Sequence, residues 1–498
     1  MKNRKYREYK PSGRRKKKKM LSSKGFRRLV CAVCAVLMSF SQFVLPKSEP
    51  AKVSAAFRSE YEPVCETAYM LNMDTGKVVF EKDPDKKMLP ASLTKMMTCI
   101  IAYERADSLD EMVVVDSRAV RFVNYNKEGA TGVWTHIKVN ERFTLRDLLY
   151  DALVASENGA AEAIGYYISK QYYGSDTNEE FIKFMNDRAV EIGCTNTHFK
   201  CASGLTTDFE NHYSTAHDMA LIANHLMNIP ELAEMAYTPH SYGIKATNKN
   251  PNVHWVVSTN LLIREGETGA DGTDYFYQYC EGVKTGYLIK SGHCYASYAK
   301  KNIGGRDYHY IAVLLNDHAP TAKDKNYAFI DAKNLFEWAF NNLYITDIYN
   351  TNVPITKIPL KLAWNKDSIT LVPQDDFSTI LPKGVKATSV TKEITFVDEE
   401  AVAPVRKGQK LGTAVLSYDG EEIGRINLVA SESVERSTLL AILDWVNNLF
   451  ASTVFRVFLV LAILGIVAYI FISYSNKQKM NSLKRNVSRR KATRRTYR

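Results

Sequence analysis

Sixteen consecutive uncharged residues, Val457 to Ile472, constrain this chain more than any other feature, because a run so apolar has no stable place on a surface facing water. With Val454 and Phe455 ahead of it and Arg456 able to snorkel, the run approaches the length of a bilayer core, and a transmembrane helix is expected over residues 454–474. Upstream, Leu439, Ile442, Leu443, Val446, Leu449 and Phe450 recur at helical spacing beside Trp445, which predicts an amphipathic interfacial helix over 438–453. A second apolar stretch, Leu29 to Leu45, follows Arg27-Arg28 and precedes Pro46 and the small-residue segment Val53-Ser54-Ala55-Ala56. That is the anatomy of a secretory signal; cleavage after Ala55 or Ala56 is expected, with an uncleaved anchor as the competing reading. Residues 1–56 are therefore read as a basic tail and a signal or anchor segment.

Charge is segregated in the same way. Residues 1–28 hold fourteen Lys and Arg against Glu8 alone, a net +13, and residues 473–498 hold ten with no acid, a net +10. The whole chain carries +12, so the remainder carries 12 − 23 = −11. The basic character belongs to the tails, which the positive-inside rule assigns to the cytoplasm, with the segment between them outside the membrane and 475–498 a cytoplasmic tail. A nucleic-acid partner is not expected of the acidic remainder.

Between the flanks two folded units are expected. Residues 62–345 alternate strand-like and helical stretches, including a helix from Thr177 to Gly193 with Thr177 and Glu180 as a capping pair and another from Asp331 to Asn342, so this unit is read as α/β. Residues 355–434 carry short alternating segments such as Ile358–Leu362, Ser368–Val372, Glu393–Val397, Gly412–Tyr418 and Gly424–Val429, divided by turn signals such as Asp419-Gly420; a small β-sandwich is expected, without a catalytic set, as a spacer.

The chemistry lies in three short motifs in a fixed order. The first is Ser92-Leu93-Thr94-Lys95, just after Pro90 and at the start of an apolar-periodic segment with Leu93, Met96, Met97, Ile100 and Ile101. A spacing of three puts Lys95 one helical turn beyond Ser92 on the same face, and burial lowers a lysine pKa toward that of a base. Ser-x-x-Lys also occurs at Ser297/Lys300, Ser389/Lys392 and Ser488/Lys491, so the spacing alone is weak. The second motif, Ser156-Glu157-Asn158, follows a segment with a Thr144/Asp147 capping signal and precedes Gly159, Ala160 and Ala161; it is placed at a corner between two helices, where a hydroxyl and a carboxamide face a cleft. The third, Lys284-Thr285-Gly286 with Tyr287, stands on a strand edge, where Gly286 admits a close substrate backbone and the cation and hydroxyl suit a carboxylate. Together they supply the parts of a penicillin-sensitive acyl-transfer site.

On these residues, from about Ala68 to Val434, the chain resembles the serine-type D-alanyl-D-alanine carboxypeptidases, the low-molecular-mass penicillin-binding proteins. Further resemblance lies in Tyr69–Phe80 around Asp74-Thr75-Gly76, in Gly204-Leu205 with His212-Tyr213-Ser214-Thr215, and in Ser258-Thr259-Asn260-Leu261-Leu262. The resemblance implies a penicillin-binding, β-lactamase-like transpeptidase fold with an antiparallel sheet, followed by the small all-β domain. It implies Ser92 as acylated nucleophile, Lys95 as its base, Ser156 and Asn158 as proton relay and substrate amide clamp, Lys284 and Thr285 as carboxylate site, and the backbone N–H groups of Ser92 and Tyr287 as oxyanion hole. The implied activity removes the terminal D-alanine from peptidoglycan stem peptides ending in D-Ala-D-Ala, with β-lactams as covalent inhibitors and no cofactor. A DD-endopeptidase, a β-lactamase of the same fold, and a catalytically weak penicillin-binding or wall-binding sensor are the alternatives.

Two departures matter. Glu157 stands where this family usually has a small residue, putting a charge beside Ser156, and no Glu-x-x-Leu-Asn segment is found of the kind that activates a deacylating water in class A β-lactamases. Of eight cysteines, Cys31 and Cys34 lie in the export segment, and the other six permit disulfides, Cys194/Cys201 and Cys280/Cys294 being nearest in sequence. No His, Cys and Asp residues have metal-site spacing, and His212 and His217 are better explained by the family's structure than by zinc.

Overall fold

The computed structural model describes residues 57–495 apart from residues 58, 127–134 and 207, so the export segment and its cleavage point lie outside the described residues. Its centre is a five-stranded antiparallel sheet in the order Lys77–Lys82, Thr67–Asn72, Arg306–Leu315, Gly292–Ile303, Cys280–Leu288. The strands of this sheet alternate between two cores. Tyr69, Leu71, Val283, Ile311 and Val313 face one apolar cluster, while Ala68, Met70, Tyr295, Tyr310 and Ala312 face another. Because both faces are covered, Tyr308 to Leu315 reads as an almost unbroken apolar run although the sheet is antiparallel.

On the first face lie the helices that carry the site: Thr94–Arg105, Leu145–Leu153, Asn158–Tyr173, Glu179–Ile192 and Ala216–Met227. Thr94–Arg105 is the central one, its Met96, Met97, Ile100 and Ile101 buried from solvent, and each such side chain cut to Ala costs about 2–5 kcal/mol. The other face is covered by Tyr327–Asn342. That helix begins four residues before the expected Asp331, because Asn326 caps it, its side chain accepting from the Phe329 N–H at 3.1 Å. The helix expected from Thr177 begins at Glu179 instead; Asn178 occupies the N-cap without a capping bond, its amide donating to Glu162. The Thr144/Asp147 capping box is present as expected.

The C-terminal strands form a six-stranded sheet in the order Thr391–Phe396, Lys410–Tyr418, Glu421–Ala430, Ser368–Pro373, Thr356–Lys361, Ala401–Val402, only the last pairing being parallel. A two-stranded ribbon, Leu343–Tyr349 with Phe377–Pro382, joins it to the rest. Leu343, Ile345 and Ile380 of this ribbon belong to the core under the central sheet, whereas Ile348 and Leu381 belong to the core of the C-terminal sheet. One ribbon is therefore shared by two cores.

After this domain come the helix Thr438–Ala451, capped by Ser437, and, across an extended Ser452, a 43-residue helix Thr453–Arg495. The stretch Thr453–Asn486 is long and apolar enough to cross a membrane, with mean hydropathy 2.7 in its most apolar part and none of that part buried in the protein. The helix continues past the expected end at residue 474 because the basic segment that follows contains neither Gly nor Pro and is rich in helix-forming Lys, Arg and Gln.

Candidate active site

Ser92 sits in a single 3₁₀ turn, Ala91–Leu93, that feeds the Thr94–Arg105 helix. Ala91 is held at φ 46°, a left-handed conformation that costs an alanine about 1 kcal/mol or more and must be imposed by its surroundings. The surroundings are a short relay: buried His212 takes the Lys200 N–H on Nδ1 at 3.0 Å, so its Nε2–H donates to Thr94 Oγ1 at 3.1 Å, and the Thr94 hydroxyl donates to the Ala91 carbonyl at 2.8 Å. Burial pushes the His212 pKa down to about 3, so it is neutral and structural. Gly204, at φ +77°, packs against the same carbonyl so closely that a Cβ there would lie 1.9 Å from the Ala91 oxygen.

Lys95 is wholly buried. Its Nζ donates to Ser92 Oγ at 2.9 Å, to Asn158 Oδ1 at 2.8 Å and to the Ser203 carbonyl at 2.8 Å, which uses all three ammonium protons. Burial lowers its pKa to about 8 even though Glu157 and Glu162 pull the other way. Glu162, itself buried, is fixed by the Ser203 N–H and hydroxyl at 2.9 and 2.7 Å, so it steadies the segment that supplies one Lys95 acceptor.

The second motif lies where the sequence places it, at the corner between Leu145–Leu153 and Asn158–Tyr173, with Ser156 in a left-handed conformation at φ 64°. Ser156 and Asn158 line the same cleft as Ser92, a cavity of ≈ 360 Å³. Glu157 does not line it. Its carboxylate turns away to cap the following helix, accepting from the Gly159 N–H at 3.1 Å, and lies 3.5 Å from His136 Nδ1.

The third motif forms the opposite wall through Thr285, Gly286 and Tyr287. Gly286 comes so near the Ser92 turn that a Cβ would meet the Ser92 nitrogen at 3.1 Å and the Pro90 oxygen at 3.2 Å. Lys284, two residues before Gly286 on the same strand, is buried, its Nζ donating to the Thr285 carbonyl at 2.9 Å, and burial together with the Lys95 charge holds its pKa well below the ordinary lysine range. Thr259 was not among the expected site residues, yet it lines the cleft and shares a 2.6 Å hydroxyl–hydroxyl bond with Thr285. The signal for it is the Ser258-Thr259-Asn260 segment; Asn260 is buried and anchored by the Tyr295 hydroxyl at 2.9 Å. His293 and Asp324 also line the cleft, and neither carries a sequence motif. The six cysteines among the described residues are all buried thiols, none in a disulfide. Of the other Ser-x-x-Lys pairs, Ser297 is buried in the central sheet, its hydroxyl donating to the Ala312 carbonyl at 2.7 Å.

Comparison with known proteins gives the family. Residues 55–319 match the family model described as D-alanyl-D-alanine carboxypeptidase, and residues 347–436 match the one described as penicillin-binding protein 5, C-terminal domain. Over 400 residues the chain is 32% identical to D-alanyl-D-alanine carboxypeptidase DacF of Bacillus subtilis, covering 79% of this chain and 93% of that protein. It is 27% identical to DacC of Escherichia coli over 74% of this chain and 83% of that one. The crystal structure of penicillin-binding protein 5 from Haemophilus influenzae shares the fold, with a TM-score of 0.58 at 24% identity over 76% of this chain and all of that one. A catalytic-family match over more than half the chain, with the C-terminal domain of the same proteins behind it, establishes that this protein belongs to the serine-type D-alanyl-D-alanine carboxypeptidases.

Proposed function

We propose that the protein hydrolyses the terminal D-alanine from peptidoglycan stem peptides through an acyl-enzyme on Ser92, and that penicillins inhibit it by forming the same ester. The observation that carries this reading is the buried Lys95 amine, 2.9 Å from Ser92 Oγ and lowered to about 8. Neutral Lys95 takes the Ser92 proton as Oγ attacks the penultimate carbonyl. The developing oxyanion is received by the N–H groups of Ser92 and Tyr287, on facing walls brought close by Gly286. Ser156 passes the proton to the departing D-alanine, and Asn158, held by Lys95, clamps the stem-peptide amide. Thr285, braced by Thr259, receives the terminal carboxylate together with Lys284, whose Nζ is held on the Thr285 carbonyl. Water then releases the acyl group.

Residues 62–345 form the catalytic unit, 355–434 a spacer, and the helix beginning at Thr453 a membrane anchor, with the cleft outside the membrane and the basic tails in the cytoplasm. Support for the orientation comes from charge: +10 immediately after the apolar run and −11 in the segment between the tails. Fluorescent penicillin on the detergent-solubilised protein, followed by peptide mass spectrometry, tests the nucleophile. The adduct is expected on Ser92 and absent in Ser92→Ala, with Ser297→Ala still labelled; an adduct on any other serine overturns the assignment. Release of D-alanine from a pentapeptide, without splitting of a cross-linked dimer into its monomers, separates the carboxypeptidase from an endopeptidase.

A further inference from the structure

Away from the cleft, three separate segments converge on one point: His136, Asp151 near the end of the Leu145–Leu153 helix, and His254 at the start of the strand His254–Val257. One ligand atom from each lies within 4.8 Å of the other two. The imidazoles lie over one another with ring centroids 4.0 Å apart, and His136 Nε2 is 2.9 Å from Asp151 Oδ2. Asp151 is 0% exposed, and its Oδ1 accepts no hydrogen bond among the described residues, a costly position for a carboxylate with one histidine as partner. We infer that His136, Asp151 and His254 form a binding site for a zinc ion.

Two imidazoles and one carboxylate are a donor set suited to zinc, and three protein ligands leave a fourth position for water. Zinc bonds of about 2.0–2.1 Å at tetrahedral angles put ligand atoms about 3.3 Å apart, so His136 and Asp151 separate by a few tenths of an ångström and His254 closes in. His254 has the freedom to do so, being partly exposed on the hairpin Ser241–Ile244/His254–Val257. A cavity of ≈ 60 Å³ bounded by both histidines and Glu141 lies beside the cluster. Glu157 completes the arrangement. Its Oε2 lies 3.5 Å from His136 Nδ1, on the ring edge opposite Asp151, where a carboxylate orients a metal-bound histidine and fixes its tautomer. The family departure at position 157 thereby acquires a purpose outside proton relay.

The ion would brace the corner that presents Ser156 and Asn158. The Asp151 carbonyl accepts the Glu157 N–H at 2.9 Å, and the segment bearing His136 lies against Gly159, where a Cβ would fall 2.3 Å from Thr135 Oγ1.

The test is zinc stoichiometry. Full-length protein in detergent, equilibrated with Zn²⁺ and desalted, is expected to retain one equivalent at this site by elemental analysis. His254→Ala and Asp151→Asn are expected to lose that equivalent, while Ser92→Ala and the control His240→Ala, on an exposed residue elsewhere, keep it. Zn²⁺ is expected to raise the unfolding midpoint of the parent and not of His254→Ala, which shows that loss of metal is not loss of fold. Glu157→Gln is expected to weaken zinc binding by about 10- to 100-fold. Less than half an equivalent on the parent, or the same zinc content and midpoint shift in His254→Ala, overturns the proposal.

Discussion

The base assignment makes a quantitative prediction about pH. An unperturbed lysine near 10.5 has about one neutral amine in three thousand at pH 7; a pKa of about 8 raises this to about one in eleven, a gain of about 300-fold. If neutral Lys95 takes the Ser92 proton, the second-order rate constant for penicillin acylation rises about tenfold from pH 7 to pH 9 and then levels off. Without the shift, the same interval gives about a hundredfold rise and no plateau. Lys95→Arg keeps the cation and removes the base, so acylation should fall by about 10² to 10⁴ at every pH in the range. The assay is a time course of fluorescent penicillin incorporation from pH 6 to 9.5, with thermal melts at each pH. A flat profile, or Lys95→Arg acylating within tenfold of the parent, refutes the reasoning. Stability moves with the same group. Because the folded pKa is depressed, the unfolded chain binds the extra proton between pH 8 and 10.5; the buried amine costs the fold about 3 kcal/mol below pH 8, and this cost fades as pH rises through that window. Lys95→Met should abolish that pH-dependent gain.

Other perturbations test the walls of the site. Gly286→Ala puts a methyl 3.1 Å from the Ser92 nitrogen and should slow acylation by about 10²- to 10³-fold with little change in melting temperature; unchanged acylation would show that this N–H stabilises no oxyanion. Gly204→Ala meets the Ala91 carbonyl at 1.9 Å from a left-handed backbone, so chemical denaturation should show a loss of about 2–4 kcal/mol, and a loss below 1 kcal/mol contradicts the packing described. Protease added to intact wall-stripped cells should degrade the segment from Glu62 to Val434 and spare an epitope after Arg498; an accessible epitope would mean that the helix from Thr453 does not cross the membrane.

Much of this site is legible in the sequence because its chemistry is local. The spacing of three that predicts contact between Ser92 and Lys95 needs only helical geometry, and the corner at Ser156 follows from a capping box and a run of small residues. What is not legible depends on contacts made at long range. Lys284 reads as a strand-edge cation, and only the folded chain shows that its side chain is buried. His136, Asp151 and His254 have no metal-site spacing because a loop, a helix end and a hairpin supply one each. Glu157 reads as a charge beside the relay serine, and only the position of His136 shows where its carboxylate points. The strand Phe377–Pro382 was missed because Asp375-Asp376 and Pro382-Lys383-Gly384 bracket it with turn residues, leaving too short a run to show alternation; its partner is the strand directly after a helix.

That ribbon also sets how far the enzyme can reach. Since Leu343–Tyr349 and Phe377–Pro382 contribute side chains to both cores, bending between the modules would break two hydrophobic interiors at once, so cleft and spacer move as one arm. The arm's base is fixed too, by the Val405–Val434 bridge and by the Ser437 N–H on the Leu362 carbonyl, which leaves the extended Ser452 between two helices as the natural elbow. An arm with a single elbow beside its anchor sweeps a shell of nearly constant radius instead of filling a volume. On the proposed anchoring, with the cleft outside the membrane, that radius is set by the length of the spacer, and inserting or deleting residues at the elbow changes the angle of the sweep without changing its radius.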